Sequence, residues 1–332
     1  MKLFFLNSLL FFSLNLSAQS VSFIKSWSLP PTQKIKKLKI GGLSGCVQEG
    51  AYIYFISDDR GGEGGARMIR FPWNAETENL EVNAGESILI ANPDSKKILD
   101  LEGIGFSKNQ FLLSNEGDLN KKPRQKPELF WVNRKGQRTS EIVLDPEFLP
   151  NLTGEQTQGI QNNLGFEGLN VDNGLQIWGA FLEGPVIKSA GTAADHLMLI
   201  EGGVDQNRIH KKWKYPLPQY EQSATTMALG VTDFLYVTDQ QLLVLERGVE
   251  LSLQGLSYNV QLCSAKKSAN GFLERQCKYQ FNHDKSLLAA IKKTTNFEGL
   301  CWVNEKKTHF LVVSDNNFSK NENTLFLLYK LN

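Results

Sequence analysis

The chain has 332 residues, of which 36 are basic and 35 acidic, giving a formal net charge of +1, and 41% are hydrophobic. That charge balance argues against nucleic acid as a partner.

Residues 1–18 carry one lysine, Lys2, then an apolar stretch from Leu3 to Leu16 and a small residue, Ala18. This is the pattern of a secretory signal peptide, too short for a membrane span. The mature protein is therefore expected to be secreted or periplasmic, a monomer folded as one domain over residues 19–332, with no integral membrane segment. From Val21 to Ile40 a strand-like alternation is broken by Pro30 and Pro31. Within it Lys34, Lys36, Lys37 and Lys39 read as a solvated strand face that discourages edge pairing rather than as an anion patch.

A recurring phrase begins at Ser44-Gly45 (LSGCVQEGAYIYFISDDRG) and returns at Glu102-Gly103 (LDLEGIGFSKNQFLLSNEGD) and Glu167-Gly168 (LGFEGLNVDNGLQIWGAFLEG). It recurs at Thr232-Asp233 (VTDFLYVTDQQLLVLERG) and Glu298-Gly299 (NFEGLCWVNEKKTHFLVVSDNNF). The starts, at positions 44, 102, 167, 232 and 298, lie 58, 65, 65 and 66 residues apart. Repetition at a fixed period marks units that cannot bury their own faces and must stack on neighbours. Each phrase reads as a β-hairpin, two apolar runs around a short polar turn. The period leaves room for two outer strands, so the expected fold is an all-β β-propeller of four-stranded blades. Five phrases imply five blades; a sixth, lacking the phrase, is an alternative over 184–226, where HLMLIEGG and IHKKWKYPL read as paired strands. The last phrase stops short of a full period, and the N-terminal segment is expected to complete that blade and close the ring. A β-sandwich with accidental echoes is the competing fold.

In an antiparallel hairpin the start of the first strand lies beside the end of the second. Glu102 is thus expected near Glu116, Glu167 near Glu183, and Glu298 near Asp315, with Asp58, Asp59 and Glu246 at the ends of the looser copies. If these are the inner hairpins of successive blades, their ends form a ring of carboxylates at one channel mouth. Crowded carboxylates repel unless a cation neutralises them, and Ca2+, a hard ion tolerant of irregular oxygen geometry, suits such a set. Arg60 and Arg247 follow the acids in two copies; a guanidinium there can grip a phosphate or carboxylate, or simply pair with the adjacent acids.

Other chemistries are poorly supplied. In GGLSGC, Cys46 stands where a nucleophile elbow needs glycine and no helix pattern follows, so Ser44 is not read as a hydrolase nucleophile. The histidines, at 196, 210, 283 and 309, have no zinc-site spacing. The glycines of DDRGGEGGAR open no helix and read as a loop at the mouth. Cys263 and Cys277 bracket a polar hairpin tip and are the preferred disulfide. Cys46 and Cys301 lie in the first and last hairpins, adjacent if the ring closes, but offset by one residue in the repeat; their pairing stays open.

Together DLEGIGF with LLSNEGD, GFEGLNV, VLERG, and NFEGLCW with VVSDNNF resemble the phytase-like β-propeller family described as having the esterase-like activity of phytase, from about Ile40 to Leu331. The resemblance implies a secreted or periplasmic propeller, a small-molecule phosphate ester or other anionic ligand, and calcium. It implies Glu102, Glu167 and Glu298 as inner-strand ligands, with Asp58, Glu116, Glu183 and Asp315 near them. The phrases hold few basic residues beyond Arg60 and Arg247, which argues against a highly phosphorylated substrate. The expected activity is calcium-dependent hydrolysis of phosphate or other small esters. The alternatives are a ligand- or envelope-binding propeller with structural calcium, and a lactonase-type hydrolase using Asn115 and Asn316.

Overall fold

Every phrase folds as the inner hairpin of a blade. The computed structural model describes residues 20–92, 94, 97–188, 192–218, 226–252, 255–281 and 295–332; the signal-peptide reading of 1–18 lies outside them. β1 (Val21–Leu29) precedes a small hairpin of β2 (Lys34–Ile35) and β3 (Leu38–Lys39). The first blade is β4 (Leu43–Glu49), β5 (Tyr52–Ser57) and β6 (Arg67–Asn74), with β7 (Asn79–Leu80) and β8 (Glu86–Leu89) both paired to β6. The second is β9 (Leu101–Ser107), β10 (Gln110–Asn115), β11 (Glu128–Asn133) and β12 (Arg138–Ile142), followed by a 3-10 turn at Pro146–Phe148. The third is β13 (Phe166–Asp172), β14 (Ile177–Leu182), β15 (His196–Gly203) and β16 (Lys211–Pro216). The fourth is β17 (Thr226–Thr238), β18 (Gln241–Ser252), β19 (Gly255–Lys267) and β20 (Leu273–Gln280). The fifth is β21 (Asn296–Trp302), β22 (His309–Asp315) and β23 (Thr324–Leu331), with β1 as its outer strand.

The ring therefore has five blades. The stretch considered for a sixth does pair as expected, from His196↔Pro216 to Glu201↔Lys211, but as the outer strands of the third blade. The innermost strands β4, β9, β13, β17 and β21 pack each on the next, and β21 packs back on β4. The N-terminal strand closes the circle, running antiparallel to β23 from Val21↔Leu331 to Leu29↔Thr324. The lysine-rich segment is a separate hairpin, Lys34 paired with Lys39 across a turn in which Lys36 and Lys37 have positive φ.

Five apolar clusters fill the interfaces between neighbouring blades. Both faces of each inner hairpin are buried, which is why these strands read as continuous apolar runs rather than as clean alternations. Ile53 and Phe55 of the first blade meet Val303, Leu311 and Val313 of the fifth, whereas Tyr54 and Ile56 turn toward Ile104 and Phe111 of the second. Cys46 is disulfide-bonded to Cys301. Stacking brings the forward face of one blade onto the rear face of the next, so the one-residue offset that seemed to separate these cysteines is what an inter-blade bridge requires. Cys263 and Cys277 also form a disulfide, between paired positions of β19 and β20.

The glycine of the Glu-Gly step lets the inner strands approach. A Cβ on Gly45 would lie 2.9 Å from the Glu102 carbonyl oxygen, and one on Gly168 would lie 2.9 Å from the Asp233 Cα. In the fourth copy that position is Asp233, whose buried carboxylate accepts the backbone N–H of Phe234 at 2.8 Å and of Leu300 at 2.6 Å. One side chain thus ties the fourth inner strand to the fifth.

Candidate metal centre

All five inner hairpins carry a register shift at the repeated dipeptide: 44–45 and 102–103 each face a single residue, and 167, 232 and 298 face none. A β-bulge gives a residue no partner across the ladder and re-aims its side chain. Here it frees Glu102, Glu167 and Glu298 from normal strand alternation at the same end of their strands, where they are buried.

Glu116, at the end of the second blade's inner hairpin, completes a set with two of them. Carboxylate oxygens of Glu102, Glu116 and Glu167 lie within 4.8 Å of one another, and those of Asp58, Asp100 and Glu102 meet the same limit. Glu102 is common to both groups. The Glu116 Oε1 accepts the Gly165 N–H at 2.5 Å, but Oε2 of Glu116 and Oε2 of Glu167 are buried with no hydrogen-bond partner. A buried carboxylate oxygen without a donor is costly to leave that way.

The protonation behaviour follows from this crowding. Burial, with Glu167 and Asp58 nearby, holds the Glu102 carboxyl well above the usual carboxylate range. Burial with Glu183 and Glu116 does the same for Glu167. Burial and the neighbouring Asp100 push Glu116 up to about 8, and burial with a hydrogen bond to Asp100 pushes Asp58 up to about 10. Asp315 is held well above the usual range by burial and by Glu298. Without a cation these acids keep protons.

The other half of the mouth has a built-in counter-charge. Arg247, buried on β18, donates from Nη2 to Glu183 at 2.5 Å and from Nη1 to Asn296 at 2.8 Å and to Glu298. Burial alone would weaken the guanidinium charge; Glu183 and Glu298 more than offset it and hold Arg247 well above its ordinary value. Arg60 is different. Its Nε donates to Asp100 at 2.7 Å and its Nη2 to Asn163 at 2.9 Å, while half of the side chain, 49%, faces solvent.

Two of the expected acids are not brought into this set. Asp59 accepts the backbone N–H groups of Gly61, Glu63 and Gly65 and pairs with buried Arg67, so it organises the loop of the first blade. Glu246 lies away from the mouth, where Tyr215, Gln261 and Arg275 all donate to it. The asparagines weighed for a lactonase-type site are also engaged. Asn115 Oδ1 accepts the Asp100 N–H at 2.8 Å, and Asn316 Oδ1 accepts the Gly42 and Phe318 N–H groups. Sequence reasoning missed Asp100 and Asn296. Both stand two residues before a Glu of the repeat, and that shared place in the phrase was the available signal.

Fold and site define a five-bladed β-propeller with buried carboxylates gathered at one mouth of its channel. The chain belongs to the phytase-like family described as "Esterase-like activity of phytase", whose model matches residues 38–318. Among curated proteins none matches it in sequence. It is similar in structure to the Bacteroides ovatus xyloglucan PUL GH43B protein, with a TM-score of 0.51 and 10% identity, covering 91% of this chain and 54% of that one; the chain thus spans about half of that protein. It is also similar to the catalytic domain of the Coprinopsis cinerea GH62 α-L-arabinofuranosidase, with a TM-score of 0.50 and 8% identity, covering 93% and 97% of the two chains. At these identities the likeness is one of fold.

Proposed function

We propose that this protein is an exported hydrolase of phosphate or other small esters that works with a Ca2+ ion held by Glu102, Glu116 and Glu167. The observation that carries the reading is the pair of buried, unpartnered oxygens, Glu116 Oε2 and Glu167 Oε2, in a group whose ligand atoms lie within 4.8 Å of one another. All the donors are hard carboxylate oxygens, which fit an alkaline-earth ion. Bound there, Ca2+ would supply Lewis acidity and neutralise charge developing on the reacting ester. Asp58, whose carboxyl burial and the neighbouring Asp100 push up to about 10, stands beside Glu102 and is placed to hold a proton at the mouth.

Arg60 is suited to hold the substrate. It is fixed inward through Nε and Nη2 while its other face is open, a geometry for one anionic group rather than several. Family membership supports the ester class. The two disulfides suit an oxidising compartment, and among the described residues no helix is long and apolar enough to cross a membrane.

The test is hydrolysis of a panel of phosphomonoesters and carboxylic esters by the full chain, with calcium and with chelator. A calcium-dependent rate that Glu167→Gln abolishes is the expected result. Background rates on every ester, together with a calcium-induced thermal shift, would replace hydrolysis with ligand binding; the absence of both would remove the metal centre.

A further inference from the structure

The two halves of the mouth solve one electrostatic problem in different ways. In the half formed by Glu102, Glu116 and Glu167, two buried oxygens lack any donor. In the other half, three oxygens, from Glu183, Glu298 and Asn296, converge on a single guanidinium. Arg247 is more than nine-tenths buried at 8% exposure, and its Nε–H finds no acceptor. The pocket therefore does not match the five-donor fork of an arginine. Its acceptors all lie on the Nη side, gathered around a positive charge as they would be around a metal ion.

We propose that Arg247 is a resident cation occupying a second divalent-metal position. The native chain then takes one exchangeable ion at the mouth, and loss of the guanidinium opens a site for a hard divalent cation on Glu183, Glu298 and Asn296. The first ion belongs to the reading given under the proposed function; the second site stands on Arg247 and its partners alone. The physical logic is that, once the guanidinium is gone, Glu183 and the Asn296 amide oxygen lose their Arg247 donor and Glu298 keeps only the Asn296 N–H at 2.6 Å, leaving buried acceptors that a hard ion can satisfy. A covalently tethered cation cannot be chelated, so one positive charge stays between Glu183 and Glu298 whatever the calcium concentration outside.

The experiment is calcium titration of the full chain by isothermal calorimetry and thermal melting, comparing wild type with Arg247→Met and Arg247→Gln. Met fills much of the same volume without charge, and Gln retains a donor for Glu183 or Glu298 should the Met variant fold poorly. Wild type is expected to bind one Ca2+ per chain and the variants two, with the variants melting lower than wild type in chelator and regaining most of the loss in calcium. One ion bound by wild type and by both variants would overturn the proposal while leaving the first site intact. None bound by wild type and one bound by the variants would remove the first site and uphold this one. Failure of both variants to fold even in excess calcium would also overturn it, because an ion would then be unable to replace the guanidinium.

Discussion

Cys46, on the innermost strand of the first blade, is bonded to Cys301, on the innermost strand of the fifth, across 255 residues of sequence. The circle is also closed at the rim by the non-covalent pairing of β1 with β23, and an apolar cluster that includes Phe55, Phe71, Leu311 and Phe326 fills the seam between first and fifth blades. The bridge therefore staples the ring at its axis while the terminal strand latches it at the rim.

From this follows a ranking of the two disulfides. Closing a loop of this size restricts the unfolded chain more than closing the 14-residue separation between Cys263 and Cys277, by roughly 5 against about 3 kcal/mol in the chain-entropy model. Urea unfolding of Cys46→Ala/Cys301→Ala should show the larger loss, and Cys263→Ala/Cys277→Ala the smaller. Equal losses, or the reverse order, would mean that the axial bridge does not secure closure.

Much of this architecture was legible because the repeat writes it five times. The Glu-Gly dipeptide encodes two physical requirements at once: a bulge that turns the acid, and a residue without a Cβ where inner strands crowd. The fourth copy departs from the pattern at Asp233, and the structure shows why it is tolerated, since that carboxylate is absorbed by backbone donors of its neighbours. Which acids would share one pocket was less legible. Asp58 and Asp59 are adjacent in sequence, yet one faces the mouth and the other is consumed by a loop, a choice made by Arg67 eight residues on. Likewise Arg60 and Arg247 hold matching places in their phrases, but one is half exposed and the other is enclosed by two glutamates from other blades. Partners that arrive from neighbouring blades, about 50–65 residues away in sequence, leave no local trace.

The assignment of Asp59 to structure rather than to ion binding can be checked directly. Asp59→Asn leaves Arg67 as a buried charge without its counter-ion, which costs about 3–5 kcal/mol. Calcium binding per folded chain should be unchanged. A variant of normal stability that had lost calcium affinity would return Asp59 to the metal centre.

The pH response of the protein should depend on whether calcium is present. Glu116 is held up to about 8 when folded, against an ordinary value of 4.5. Between those values the folded chain keeps a proton that the unfolded chain has released, so rising pH favours unfolding across that window. Asp58 extends the effect toward about 10. Asp59 acts oppositely. Burial raises its carboxyl, but the Glu63 N–H and Arg67 outweigh this and lower it, so its contribution is present at neutral pH and is lost as the pH falls through the depressed value. In chelator the melting temperature is therefore expected to peak in mild acid and to fall as Glu116 ionises. Calcium, which binds the ionised carboxylates, should shift the peak upward in pH, and its stabilising effect should grow from mild acid to about pH 8. A calcium shift independent of pH would contradict this linkage.

The sharpest separation of function from stability comes at Glu167. Its buried, unpartnered Oε2 sits among Glu102, Glu116 and Glu183, a position that weakens the empty protein and is useful only once a cation arrives. Glu167→Gln keeps the shape, removes a carboxylate and gives the cluster an N–H donor. In chelator this variant is expected to be more stable than wild type by about 1–2 kcal/mol, because an amide sits uncharged in the cluster without the proton that folding forces on Glu167. In calcium the order should reverse, with affinity reduced at least about tenfold, roughly 1.4 kcal/mol. Chemical denaturation with and without calcium gives both numbers from one pair of proteins. Destabilisation of the variant under both conditions would show that Glu167 serves the fold, and the metal centre would then have to be sought elsewhere in the ring.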